Sequence, residues 1–468
     1  MRKPNKSTIA IAVFAAMFSQ TGLAGGFSLY TEGSAAAVGN YAAGVAAEAV
    51  DATIGWYNPA GLVRVKKQEA VVSGVGVFPS TKLSGTSTYT TESLPPYQQT
   101  FKDLQGGKDA LVPALHYVKP LNNRSAFGLS IVSPFGLSTS WGDTSPVRYA
   151  ATLTKLITMT VSPELSGQAT DNFSVGAGLD FQWARVNFDS VLGSPAALQY
   201  LESFNPLVTP TLLDSTTNNQ GHSFGIGFHA GVLGTFNDSH TRVGLNYQSN
   251  ISHTFHGTSA LAGGLADPDS ISGDPDAINP QSVFKSNTLY TKPVDLPDIL
   301  TLSGYQDVNA KLALLGSLVF SGWSSFKSIN LYNVAAFSSE TGMPALVNSS
   351  ATENYRDTWR FALGANYRVN DLWMMRVGGG YDQTPTVKAE RDIRLPDADR
   401  IALSVGSHYQ LKPSIGLDIG YTYLFAATNA NVNKTQALGT SSSYNVTAQG
   451  KVHAQLAALQ IVWAMDRA

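Results

Sequence analysis

The chain has 468 residues, 43 of them glycine and none cysteine, with 14% charged and 43% hydrophobic residues and a mean hydropathy of -0.03. A soluble globular chain carries about 25% charge, and a helical membrane protein is far more apolar, so neither class fits. Lys+Arg 31 against Asp+Glu 33 leaves a net charge of -2, which excludes the basic bulk of a nucleic-acid binder.

Low charge, much glycine and many aromatics (19 Tyr, 21 Phe) match the composition of a transmembrane β-barrel. A large secreted β-protein shares that composition, so the elements must decide. The first residues point to export. Arg2, Lys3 and Lys6 precede an apolar stretch from Ile9 to Phe18, and Gly22-Leu23-Ala24 is a small-residue cleavage site. This reads as a secretory signal peptide over residues 1–24, the apolar stretch being well short of the ~20 residues of a spanning helix. Export without cysteine leaves no disulfide framework, so stability must come from the fold itself.

Residues 25–67 lack strand rhythm. Ala and Gly dominate Ser34-Ala35-Ala36-Ala37-Val38-Gly39 and Tyr41-Ala42-Ala43-Gly44-Val45-Ala46-Ala47, and Tyr57-Asn58-Pro59-Ala60-Gly61 follows. Small residues permit close backbone packing. Such a segment either fills the lumen of a wide barrel or hangs outside it as an arm.

Residues 68–468 read as the barrel. Trp359, Phe361, Leu363, Ala365, Tyr367 and Val369 alternate with Arg360, Ala362, Gly364, Asn366 and Arg368. The same period of two recurs from Val243, from Ile401 and from Ile415, placing one set of side chains on each face of a strand. The polar set is Gly, Ser, Asn and isolated Arg rather than the Lys and Glu of a soluble sheet, which suits a crowded lumen. In hydrocarbon every backbone group must pair within the protein, so a spanning sheet must close on itself. About fourteen strands fit between Glu69 and Met465, an even number as in bacterial barrels. The fold expected is therefore all-β: a 14-stranded antiparallel transmembrane barrel with an N-terminal plug.

Long polar connections are expected at Gly85 to Lys108, Ser190 to Gln220, Gly257 to Lys292, Ser338 to Thr352 and Ala426 to Gln449, with tight turns such as Asn237-Asp238-Ser239 at the other end. The acidic stretch Ala266 to Pro280 fits no calcium-loop spacing and reads as a solvated loop. His253-x-x-His256 is too short a motif to hold a metal alone. The remaining histidines are scattered, and glycine pairs such as Gly176 and Gly178 have no helix after them to cradle phosphate. No enzyme, metal or cofactor is expected. An open diffusion porin is the other rival, disfavoured by the plug.

The ordered run Gly26-Phe27, Ala37-Val38-Gly39, Ala43-Gly44, Asp51-Ala52 and Asn58-Pro59-Ala60-Gly61-Leu62 resembles the hatch of FadL-type outer-membrane transporters of fatty acids and hydrocarbons. Further marks follow in family order: Pro134-Phe135-Gly136 late in the third strand, Leu296-Pro297-Asp298 opening the eighth, and Gly322-Trp323-Ser324-Ser325-Phe326 ending the ninth. Tyr355-Arg356-Asp357, Pro396-Asp397-Ala398-Asp399-Arg400 and Tyr421-Thr422-Tyr423 complete the set. The end departs from the outer-membrane habit of finishing on an aromatic, since five residues follow Trp463.

The resemblance implies a monomer in the outer-membrane lipid that takes up a fatty acid or other hydrophobic small molecule by passive diffusion. The ligand leaves sideways through a wall opening at a kink of the third strand. That kink maps to Pro134, Phe135 and Gly136. Proline lacks a donor and glycine weakens a strand, so ladder bonds are lost there; proline also serves merely to end strands. Asn58, Pro59 and Ala60 are expected to hold the hatch against the wall near the kink.

A fatty acid needs a cation for its head, because a buried carboxylate is costly unless paired. Arg400 and Arg185 match family positions, with Lys311 and Lys327 as further candidates. Alternation turns Arg400 inward but puts Arg185 on the lipid face unless a bulge shifts the phase. The alternative for both arginines is pairing with a luminal acid. Phe27, Phe135 and Trp141 are the expected lining of the tail path.

Overall fold

The computed structural model describes residues 27–92, 94–268, 279–338, 341–439 and 441–465. The leader expected over residues 1–24 and most of the acidic stretch lie outside them.

Among the described residues, fourteen antiparallel strands close into a barrel. In chain order they are β1 Glu69–Thr91, β2 Tyr97–Gln105 with Ala110–Asn122, β3 Ser125–Val132 with Gly136–Ser140, β4 Leu153–Gln168 and β5 Phe173–Leu192. Next come β6 Ser215–Phe236, β7 Thr241–Gln248 continued by Ile251–His253 and His256–Gly263, and β8 Val283–Thr291 continued by Val294–Leu296 and Ile299–Asp307. The circuit ends with β9 Leu312–Ser321 and Ser328–Ser338, β10 Met343–Thr352 and Thr358–Arg368, β11 Trp373–Asp382, β12 Arg400–Lys412, β13 Ile415–Ala426 with Val432–Leu438, and β14 Ser442–Ala464. β14 pairs with β1 along its whole length, from Glu69 opposite Ala464 to Thr91 opposite Ser442, which removes the last open edge.

The alternation lies as the sequence predicts. Phe361, Leu363, Leu403, Val405 and Ile419 are exposed on the outside, while Arg360, Asn366, Ser404 and Asp418 are buried. Trp359 and Tyr367 mark the two ends of the apolar face of β10. Eight residues at ~3.3 Å each separate them by roughly 26 Å along the strand.

Two expectations need correction. Several of the long polar connections are largely strand: β1 runs to Thr91 and β2 begins at Tyr97, and Val432–Leu438 and Ser442–Ala464 make a similar projecting hairpin, whereas Ser190 to Gln220 holds a short helix, Pro195–Glu202, and turns. Thr, Ser, Tyr and Asn there are polar on both faces yet compatible with a strand, so the ladder continues past the bilayer. Leu296-Pro297-Asp298 leads into the segment Ile299–Asp307 and Gly322 to Phe326 follows the segment Leu312–Ser321, as expected, but strand lies on the far side of each, so both interrupt β8 and β9. Pro297 has no amide to donate, and the Gly322 amide bonds the Asp298 carbonyl at 3.0 Å, tying the two breaks together.

Inside lies the N-terminal segment. Helix α1, Ala35–Asn40, is capped by the Ser34 hydroxyl, which accepts from the Ala37 amide; a short turn, α2 (Ile54–Tyr57), and a 3₁₀ turn, Pro59–Arg64, follow. An irregular plug has many unpaired backbone groups, and each needs a partner. The polar wall supplies them: Gln460 accepts from the Ala35 amide, Ser317 from Gly44 and Ser303 from Ala46, while Thr422 donates to the Val38 carbonyl. The glycine of β12 and β13 lets α1 lie against bare backbone. A Cβ at Gly406 would stand 2.7 Å from the Gly39 Cα, and one at Gly420 2.4 Å from the Ala35 carbonyl oxygen.

Candidate functional site: a cavity above the hatch

β3 breaks at residues 133–135, and the break is bridged from inside. The Leu29 amide donates to the Pro134 carbonyl and the Gly136 amide to the Phe27 carbonyl, both at 2.8 Å, so Ser28 and Phe135 form a β-bridge. On the wall side, Thr158 accepts from the Phe135 amide and donates to its carbonyl. β2 and β3 pair regularly only between Leu115 and Asn122; above the break a Gly107–Thr139 bridge and the Ser140 amide on the Gly106 carbonyl join them. The seam between these contacts is where ladder bonds are missing.

Beside this seam is an apolar cavity with about 680 Å³ of unfilled space, part of it open to solvent. Its wall includes Phe27 of the hatch, Leu137, Leu156, Val186, Phe255, Leu296, Phe326, Tyr355 and Leu395. Phe255, Leu296, Phe326 and Tyr355 lie in or beside the breaks of β7, β8, β9 and β10. An unbroken strand can turn only alternate residues inward, so the breaks let extra apolar side chains face the lumen. Phe27 is held edge-on by Trp323 at 4.5 Å, Phe326 at 5.6 Å and Phe135 at 6.3 Å between ring centroids. Edge-to-face geometry suits the ring quadrupoles.

Charged side chains line it as well: Lys155, Arg394, Glu353 and Asp392. Arg394 donates to the Thr154 hydroxyl at 3.0 Å and to the Ala150 carbonyl at 2.8 Å. Burial pushes the Glu353 and Asp392 carboxyls above the usual carboxylate range and pulls Arg394 down from its own.

Of the residues named from the sequence, Phe27 and Phe135 come together at the break, but Trp141 does not join them. It packs in the extracellular cluster with Leu83, Tyr149 and Ile393, and its indole donates to the Ile393 carbonyl at 3.1 Å. Trp141 thereby positions the segment that carries Arg394 and is not among the residues lining the cavity. Arg185 is exposed on the outer face and bonds Gln220, because β5 keeps its phase and no bulge intervenes. Lys311, in the β8–β9 turn, and Lys327, after the break in β9, are also exposed.

Arg400 does face inward, where it meets acids: Asp382 at 3.4 Å and Asp397 at 3.8 Å. Arg360 shares Asp382 at 3.0 Å and stacks over Tyr30 and Tyr41 of the hatch, so this charged chain grips the plug. Asn58, Pro59 and Ala60 hold the hatch far from the kink. Asn58 donates to Ala46 and to the Val232 carbonyl of β6, and Ser166 and Ser174 donate to the Ala60 carbonyl. Ser166 lies eight residues along β4 from Thr158, roughly 26 Å at strand rise. What holds the kink is residues 27–29. The sequence does not single out Phe255 and Tyr355, which sit at strand breaks, or Arg394, which sits in the connection between β11 and β12, because periodicity says nothing about either place.

A polar cavity of about 1,210 Å³ of unfilled space lies below the hatch, lined by Glu48, Asp51, Glu69, Arg376 and His408 among others. His253 is buried against Gln182, whereas His256 is exposed, so the pair does not converge.

Residues 15–464 match the model of the outer membrane protein transport protein family, OMPP1/FadL/TodX. The chain belongs to that family. It is 28% identical over 434 residues to the long-chain fatty acid transport protein of Escherichia coli K12, covering 90% of this chain and 91% of the relative. It is 26% identical over 490 residues to outer membrane protein P1 of Haemophilus influenzae, covering 98% and 99%. The crystal structure of a Pseudomonas aeruginosa FadL homologue superposes with a TM-score of 0.77 at 26% identity, over 94% of this chain and 100% of the other. A Ralstonia pickettii toluene transporter, at 20% identity and a TM-score of 0.58 over 89% of this chain and 94% of that one, shares the fold. Like other OMPP1/FadL/TodX members, this is an outer-membrane barrel transport protein.

Proposed function

We propose that the protein admits long-chain fatty acids into the cell envelope by passive diffusion, through the cavity above the hatch and out sideways at the β3 break. The observation that carries this reading is the apolar cavity abutting the one place where the β2–β3 ladder is incomplete. Straight passage is disfavoured physically, since the space beneath the hatch is lined by buried charge, and an apolar tail entering it would strip water from those groups. Sideways, the tail moves from an apolar cavity to an apolar membrane. Exposed Leu201, Phe204 and Leu207 on an extracellular loop offer a first landing place for an amphiphile. The relatives named as fatty acid transport proteins support the acid over aromatic or alkane hydrocarbons. The closed single-chain sheet leaves no edge for a second copy, which supports a monomer surrounded by lipid.

The test is uptake by cells lacking other such transporters, paired with liposome swelling in sugars. Fatty acid uptake without sugar permeation supports the reading; rapid sugar entry would instead identify an open porin.

A further inference from the structure

The wall has a second irregularity, on its outer side and away from the hatch. β11 ends at Asp382 and β12 begins at Arg400, level with Arg360 of β10 and Ala426 of β13. Both neighbours go further out, β10 through Met343–Thr352 and β13 through Val432–Leu438. Two short strands between two long ones leave a notch in the rim, backed by the connection of residues 383–399. It holds about 1,060 Å³ of unfilled space, part of it open to solvent. No residue lines both this notch and the apolar cavity.

Its charges are three cations, Arg356, Lys388 and Arg391, and one carboxylate, Asp399. The carboxylate is already engaged: Arg356 donates to it at 3.1 Å, the Tyr381 hydroxyl at 2.8 Å and the Thr384 amide at 2.9 Å. Lys388 is exposed and, like Arg391, takes part in none of the ion pairs among the described residues. Arg391 is buried, and its two side-chain bonds go to neutral oxygens, the Thr386 hydroxyl at 3.0 Å and the Asn429 carbonyl at 2.9 Å. Burial pulls it below the usual guanidinium range, against the attraction of Asp397 and Asp399. A buried cation bonded only to neutral groups is costly, and an anion entering the notch would offset that cost.

The height of the notch narrows the choice of anion. Arg356 stands three residues outward of Trp359, whose exposed ring packs 5.1 Å from Phe320. Ala427 follows Phe425, which stacks on Tyr423 at 6.2 Å. Such rings mark the level where hydrocarbon gives way to headgroups, so the notch opens sideways at headgroup height. Guanidinium groups match phosphate oxygens in pairs, and an ammonium adds a mobile point charge.

We propose that this notch binds a phosphate monoester carried by a lipid headgroup of the outer leaflet, with Arg391, Arg356 and Lys388 as its donors. The protein would then hold one phosphorylated lipid at a fixed place on its rim, apart from the ligand it transports.

Native mass spectrometry of the full-length protein in detergent tests this, with a bisphosphorylated glycolipid of the lipid A type and its phosphate-free counterpart at equal concentration. The wild type should hold the phosphorylated lipid in preference. Arg391→Met should lower its occupancy about ten- to a hundredfold, the worth of a hydrogen bond to a charged group, and leave the phosphate-free lipid unchanged. Lys388→Glu should lower it several-fold, and because that side chain is exposed, the loss does not come from misfolding. Lys102→Glu makes the same change of charge on exposed β2 and should have no effect. A second arm uses inorganic phosphate alone. Binding of phosphate that Arg391→Met abolishes, without preference between the lipids, would keep the phosphate site and overturn its lipid source. An unchanged lipid preference in both notch variants, or an equal loss in Lys102→Glu, would overturn the site. So would a wild type that neither prefers the phosphorylated lipid nor binds phosphate.

Discussion

Leu29 of the plug and Pro134 of the wall share a backbone hydrogen bond of 2.8 Å, so the hatch completes the strand that the proline interrupts. At the break in β3 a β-bridge from the hatch thus takes the place of ladder contacts that the wall lacks. Whatever dislodges residues 27–29 also uncovers the seam.

Locking that contact should stop transport. Ser28 and Phe135 are bridge partners, and paired antiparallel residues have Cα atoms ~4.5–5.5 Å apart, within disulfide range. The chain has no cysteine of its own, so Ser28→Cys with Phe135→Cys gives a single possible crosslink. Fatty acid uptake should fall at least about tenfold when the pair is oxidised and return on reduction. Equal uptake in both states would show that the seam is not the route.

Making the wall continuous should have a similar result. Pro134→Ala with Gly136→Val removes the residues that break β3. The barrel should assemble, as judged by its resistance to unfolding in detergent on a gel, while uptake falls several-fold.

The hatch anchor makes a separate prediction. Asn58 is fully buried and satisfies the Ala46 and Val232 carbonyls while accepting from the Ala60 amide. Asn58→Ala orphans those groups at roughly 1–3 kcal/mol each, less whatever water recovers. The plug should loosen within an intact barrel, and sugar permeation in liposome swelling should rise above the wild-type level.

Arg400 should matter for stability and not for ligand choice. Arg400→Met leaves Asp397 without this partner and Asp382 with Arg360 alone, and breaking a buried ion pair costs about 3–5 kcal/mol. The unfolding temperature should drop by several degrees, with the binding of oleic acid over oleyl alcohol, read by native mass spectrometry, unchanged.

Much of the architecture was legible because its cause is local. A period of two, repeated from Val243 to Phe425, decides which side chains meet lipid, and the same pattern gives the strand number and closure. Arg400 and Arg185 were oriented correctly by counting residues, Arg185 outward against the role its family position implied. The polar hairpins misled because a strand outside the bilayer needs no apolar face; only pairing partners show that Thr86 and Gln98 belong to a ladder.

The sequence by itself determined an exported, glycine-rich, alternating chain that must close into a barrel, and a small-residue segment able to pack against bare backbone. Tertiary structure alone decided what that segment holds and what faces the cavity. Phe27 meets Trp323 across nearly three hundred residues of chain and Phe135 across more than a hundred, and Arg394 reaches Thr154 from a different strand connection. Contacts of that kind come from where breaks in several strands fall around a closed ring, a relation that no local periodicity records.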